Sequence, residues 1–183
     1  TLYHYDAKRP IDDQFMVGPN ILQAPFLEEG KSRYVILPGR KPWFDARNGE
    51  WMKPGRATVE YNSSESPLYF RDGAIIPALP GKRETSEKDL TKVDMHFFFA
   101  TGAGETVYTF DDGETLDYQI GKRSQISIRA LRRGTRLSIT TEVLSEGFGA
   151  AEIVGYIYGD IEEVFVNGRR VRLAKTEKTW TGE

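Results

Sequence analysis

Two carboxyl groups can divide acid and base work when they flank one scissile bond, about 5 to 9 Å apart. Asp12 and Asp13 stand side by side ahead of Gln14-Phe15-Met16-Val17. Neighbouring residues on a strand point to opposite faces, so such a pair does not serve one substrate. The ordinary reading is that they cap or turn the chain before a buried strand. Asp111, Asp112 and Glu114 surround Gly113 and could offer oxygens to Ca²⁺, which takes about six to eight hard ligands. Their spacing is not that of an EF-hand loop, and Gly after paired Asp is common hairpin-turn chemistry. A turn is expected there, with a metal site as the alternative.

His4 and His96 lie far apart, and neither has a metal-ligand companion at helical spacing. His96 sits within the aromatic run Met95 to Phe99 and is expected to be a hydrogen-bonded sheet residue. His4 lies between Leu2-Tyr3 and Tyr5 and could line a sugar pocket. Trp43, Trp51 and Trp180 could stack on sugar rings, and Trp43 and Trp51 flank a turn built on Asn48-Gly49. That placement predicts at least one indole on an exposed rim, where packing on a neighbouring domain competes with sugar binding. The sequence holds no cysteine, no Gly-rich phosphate loop, no GxSxG elbow and no HExxH pair. No residue is therefore assigned a catalytic role, and no cofactor is implied.

The elements that position these residues read as strands. Short runs rich in Val, Ile, Tyr, Phe and Thr recur between Gly, Pro, Asn and Asp. They include Tyr34–Leu37, Ala57–Tyr61, Pro67–Phe70, Met95–Phe99, Thr106–Phe110, Gln125–Ile128 and Arg136–Thr141. No window sustains apolar residues at helical spacing. Asn167-Gly168, between Val164-Phe165-Val166 and Val171, has the two residues that accept positive φ in a type I′ turn. A β-hairpin is predicted there. Pro80 to Lys92 carries a single apolar side chain, Leu90, and reads as a linker or long solvated loop.

At 39% hydrophobic and 12% aromatic, the chain can build a real core, which a disordered chain cannot. A formal net charge of −2 favours neither nucleic acid nor an anionic membrane as partner. No apolar stretch reaches the roughly 18 residues a membrane helix needs, and no signal-peptide pattern opens the chain. Its first residues, Thr1 to Tyr5, read as cut from a folded body.

Four stretches, in order, resemble glycoside hydrolase family 31, the α-glucosidase and α-xylosidase family. The first is Asp12-Asp13-Gln14-Phe15-Met16 with Gly18-Pro19-Asn20-Ile21-Leu22 and Ala24-Pro25-Phe26. Leu37-Pro38 with Trp43-Phe44-Asp45 and Asn48-Gly49-Glu50 is the second. Pro67 to Pro77 (PLYFRDGAIIP) and Tyr108 to Thr115 (YTFDDGET) complete the set. Within them, Gly73 suits a tight turn between two strands, and Pro77 is expected to stop the second.

The resemblance implies a mainly β chain: two consecutive antiparallel β-sandwich domains preceded by a short remnant of a (β/α)₈ barrel. Residues 1–27 would be the last segment of the catalytic barrel, 28–88 the proximal sandwich and 89–183 the distal sandwich. It implies a retaining α-glycosidase as parent, whose two catalytic aspartates stand on earlier barrel strands, so this chain alone is expected to be inactive. The implied partners are that missing barrel and, through it, an α-linked oligosaccharide. Leu2, Tyr3, Phe15, Ile21 and Leu22 are then expected in an apolar patch where the barrel docks. A carbohydrate-binding module using rim aromatics, or a protein–protein interaction domain, are the competing readings.

Overall fold

A computed structural model of the chain describes residues 13–25, 32–60, 67–80 and 91–174. His4, Asp12, Trp180 and most of the expected linker lie outside these residues. The regular structure of the described residues is almost entirely strands, with one short 3-10 turn at Asp117–Ile120, and the residues divide into two compact units between Asp72 and Gly73.

The first unit contains β1 (Phe15–Val17), β2 (Ile21–Gln23), β3 (Ser32–Leu37), β4 (Trp43–Asp45), β5 (Trp51–Met52), β6 (Gly55–Glu60) and β7 (Leu68–Arg71). An antiparallel sheet of order β1-β2-β7-β4-β5 faces the two-stranded ladder β3-β6. Side-chain alternation sends Met16, Leu22, Trp43, Tyr69 and Met52 from the larger sheet toward Val35, Leu37 and Val59 of the smaller one. This is a small β-sandwich with its own core. Trp43 is 1% exposed within it, and its Nε1–H donates to the Pro38 carbonyl at 2.9 Å.

The second unit holds β8 (Ala74–Ala78), β9 (Lys92–Phe98), β10 (Ala103–Phe110), β11 (Ser124–Arg133), β12 (Arg136–Glu146), β13 (Glu152–Tyr158), β14 (Glu163–Val166) and β15 (Arg169–Val171). A five-stranded sheet, β10-β11-β12-β14-β15, and a three-stranded sheet, β13-β9-β8, share one core. Val93, Met95 and Phe97 come from one layer; Phe110, Ile126, Ile128, Leu137 and Val164 come from the other. Two pairings, β12 with β14 and β9 with β13, are parallel; the remaining ladders are antiparallel.

Every strand run read from the sequence overlaps a strand among the described residues. The Asn167-Gly168 hairpin is present, with φ of 49° and 79° at the two turn residues, and Val166 opposite Arg169. Gly73 has φ of 86° and donates its N–H to Phe98 O at 2.8 Å. The strands on its two sides belong to different sheets, so it redirects the chain between ladders and closes no hairpin. Pro77 does not end β8; it pairs opposite Met95 in the ladder. An edge strand tolerates a proline, because one side of its ladder needs no donor.

Candidate functional site

The larger sheet of the first unit is apolar on both faces. One face forms the sandwich core. Strand register puts Phe15, Val17, Ile21, Phe70 and Phe44 on the other. Phe44 meets Trp51 edge to face at 5.4 Å. Phe15 and Val17, on edge strand β1, are 46% and 49% exposed. Ile21 is half-buried, whereas Leu22, one residue on, points into the core at 2% exposure. The sequence grouped Leu22 with Phe15 and Ile21, but strand alternation separates it from them. Phe70 and Phe44 on that face are already buried, at 0% and 6% exposure, so its open part is the β1 edge.

Polar side chains hold β1 in place. Gln14 Nε2 donates to Ile36 O at 2.7 Å, and Ile36 N–H donates to Gln14 Oε1 at 2.9 Å. The carboxamide thus acts as one more rung at the edge of β3. Arg33 Nη2 meets Asp13 Oδ2 at 2.5 Å, while its Nη1 donates to the carbonyl oxygens of Asp13 and Pro25. Asp13 is therefore committed to an arginine of the same unit.

A buried charge pair anchors β4. Asp45, 1% exposed, accepts from Arg47 Nε at 3.0 Å and Nη2 at 2.6 Å, and from the Arg47 backbone N–H at 3.0 Å. Arg47 Nη1 continues to Glu60 O at 2.7 Å, tying the pair to β6. Opposite Asp45 in the ladder lies Tyr69. Burial, reinforced by the Asp45 charge, pushes the Tyr69 phenol up to about 12. Nothing in the sequence around Asp45 announced this pair.

The residues proposed to bind sugar are separated in character. Trp43 offers no free ring face, because its indole fills the core. Trp51 is half-buried against Phe44, and His4 lies outside the described residues. His96 is a sheet residue, as read: it is buried, its Nδ1 lies 2.9 Å from the Tyr158 hydroxyl, and it stacks on Tyr156 at 5.0 Å.

The acidic run folds as a turn. Asp111 Oδ1 accepts the Gly113 N–H at 2.8 Å, and Gly113 has φ of 65°. Asp112 Oδ1 accepts the N–H groups of Glu114 and Thr115, each at 3.0 Å, and its Oδ2 accepts the Thr115 hydroxyl at 2.7 Å. Those bonds to the charged form hold the Asp112 carboxyl at about 2. Among the described residues no three His, Asp or Glu side chains gather as a metal site.

Comparison with known proteins fits this arrangement. Residues 2–76 match the glycosyl hydrolase family 31 C-terminal domain. A probable glucan 1,3-alpha-glucosidase of Oryza sativa subsp. japonica is 36% identical over 115 residues, which are 60% of this chain and 12% of the relative. An alpha-xylosidase of Saccharolobus solfataricus is 32% identical over 113 residues, 61% of this chain and 15% of the relative. In structure, a GH31 dextranase of Flavobacterium johnsoniae complexed with glucose superposes with a TM-score of 0.77 at 25% identity. That match covers 94% of this chain and 23% of the dextranase. The chain thus spans a small fraction of the length of the proteins it resembles.

Proposed function

We propose, from the match of residues 2–76 to the glycosyl hydrolase family 31 C-terminal domain, that the chain is the non-catalytic, barrel-supporting region of a retaining α-glycosidase. The parent enzyme would act on α-linked glucosides or xylosides through aspartates on a barrel that this chain lacks. The observation that carries this reading is the outer face of the first sheet, where Phe15 and Val17 stand about half exposed on an edge strand. Burying the exposed half of these two side chains is worth about 1.5–3 kcal/mol, which favours a neighbouring body against this edge.

In this reading residues 1–27 supply the last piece of the barrel, 28–88 the proximal sandwich and 89–183 the distal one. The two compact units support two sandwiches, but β8, inside the 28–88 segment, pairs with β9, which favours a boundary between Asp72 and Gly73 over one at residue 88. β1 and β2 hydrogen-bond into the first sheet, so segment 1–27 would join barrel and sandwich through backbone as well as side chains. The carboxylates with resolved partners serve structure: Asp13 holds Arg33, Asp45 holds Arg47, and Asp112 closes its own turn. With Trp43 buried, a carbohydrate-binding module would act through Trp51, Trp180 or His4, and titration calorimetry with maltose or xyloglucan fragments separates the two readings by the presence of heat.

Two measurements test the proposal. The purified 183-residue chain should release no aryl group from aryl α-glucosides or α-xylosides; release by a preparation free of other hydrolases overturns it. In a polypeptide carrying a family 31 barrel ahead of this region, F15E/V17E should lower the melting temperature of the barrel, while the same change leaves the isolated chain's melting in place. An unchanged barrel transition would remove the docking role from this face.

A further inference from the structure

The chain contains two Asn-Gly pairs in exposed turns, Asn48-Gly49 and Asn167-Gly168. Glycine leaves its own amide nitrogen the least hindered of any residue. That nitrogen can attack the carboxamide carbon of the preceding asparagine. The Gly N–Cγ bond forms, the Cγ–Nδ2 bond breaks, and the amide proton leaves with Nδ2 as ammonia. Water then opens the resulting succinimide at either carbonyl, leaving aspartate or isoaspartate. Attack requires a free glycine N–H and a carboxamide able to swing toward it.

At the first pair both reactants are held. Gly49 N–H donates to Asp45 O at 2.9 Å. Asn48 Oδ1 accepts the Glu50 N–H at 3.0 Å, and its Nδ2 donates to Glu50 Oε2 at 3.1 Å. At the second pair, Gly168 N–H has no backbone acceptor among the described residues. The Asn167 carboxamide, like that of Asn48, is held among the described residues by two bonds to a single residue, here Thr141 of β12, so the free glycine N–H is what sets the second pair apart. Asn167 Oδ1 accepts the Thr141 N–H at 2.9 Å, and its Nδ2 donates to Thr141 Oγ1 at 2.9 Å.

We infer that Asn167 is the deamidation site of this chain and that Thr141 is the latch controlling its rate. The consequence reaches beyond the turn. An aspartate at 167 can no longer donate to Thr141 Oγ1. An isoaspartate adds a backbone methylene to a two-residue turn whose register sets Val166 opposite Arg169. β14 also pairs with β12 and places Val164 in the core, so the conversion loosens one edge of the second unit.

The test holds the folded 183-residue chain in mildly alkaline buffer and follows both sites by peptide mass spectrometry and isoaspartyl methyltransferase labelling. Asn167 should convert ahead of Asn48. T141V should speed conversion at Asn167 about fivefold, the worth of one net hydrogen bond, while T141S, which keeps Oγ1, should behave as the parent. A circular-dichroism melt reports whether the second unit, which holds both Thr141 and Asn167, survives in T141V; should it unfold, the order of conversion in the parent chain decides. Asn48 converting first, an unchanged Asn167 rate in folded T141V, or T141S matching T141V would each overturn the assignment.

Discussion

Replacing Arg47 by methionine tests how the first sandwich is held together. The substitution keeps the apolar stem but removes both guanidinium bonds to Asp45 and the bond to Glu60 O. Asp45 is 1% exposed, and among the described residues only the Arg47 backbone N–H would still reach its carboxylate. Removing one partner of a buried ion pair costs about 3–5 kcal/mol, because the remaining charge is left in a poorly solvated site. With a urea slope of about 2 kcal/mol per molar for a unit of this size, the midpoint should fall by about 2 M. Trp43 and Trp51 both lie in this unit, so tryptophan fluorescence reports its unfolding. D45N/R47M removes the stranded charge and should recover most of the loss. The exposed Lys122–Asp117 pair of the second unit, though as short at 2.6 Å, serves as the control there: K122M should leave that unit's circular-dichroism melt essentially in place, since solvent screens the pair. An R47M midpoint close to that of the parent, or a double variant no better than R47M, would refute the claim that burial gives this pair its weight.

Three further outcomes follow from named contacts. Q14L strands the N–H and C=O of Ile36 and should cost about 2 kcal/mol or more in urea unfolding, with β1 losing hydrogen-exchange protection first. In G104A the new Cβ would lie 1.8 Å from Gly73 O and 2.7 Å from Gly73 C. Backbone cannot yield cheaply there, so the second unit should melt lower, by about 2 kcal/mol or more of destabilisation. Asp112 is depressed to about 2 in the folded chain, so its contribution is fully present above the ordinary aspartate range near 4 and is lost as pH falls through 2. The stability gap between the parent and D112A should therefore close over that acid window, and a gap constant between pH 4 and 2 would contradict the turn bonding.

Local chemistry was legible in the residues because its causes are local. Asn167-Gly168 specifies positive φ twice in succession, and the hairpin follows whatever surrounds it. Asp111 to Glu114 closes its turn with its own backbone. His96, inside an aromatic run, became a hydrogen-bonded sheet residue. The family resemblance was likewise carried by contiguous runs.

Which faces are covered, and by what, depends on partners distant in the chain. Trp43 and Trp51 flank the same turn, yet ladder register buries the first and leaves the second half-exposed. Gly73 makes the tight turn between two strands that the residues indicated, but that the two strands belong to different sheets, β7 pairing with β2 and β4 and β8 with β9, was not readable there. Gln14 carries no sign in its neighbours that its carboxamide will complete the edge of β3 twenty-two residues later. The sequence by itself determined that this protein is built of strands, where its turns fall and which family it resembles. Only the tertiary structure decided the strand partners, the buried Asp45–Arg47 pair and the apolar face of β1, because those are set by long-range burial and register, which no local run encodes.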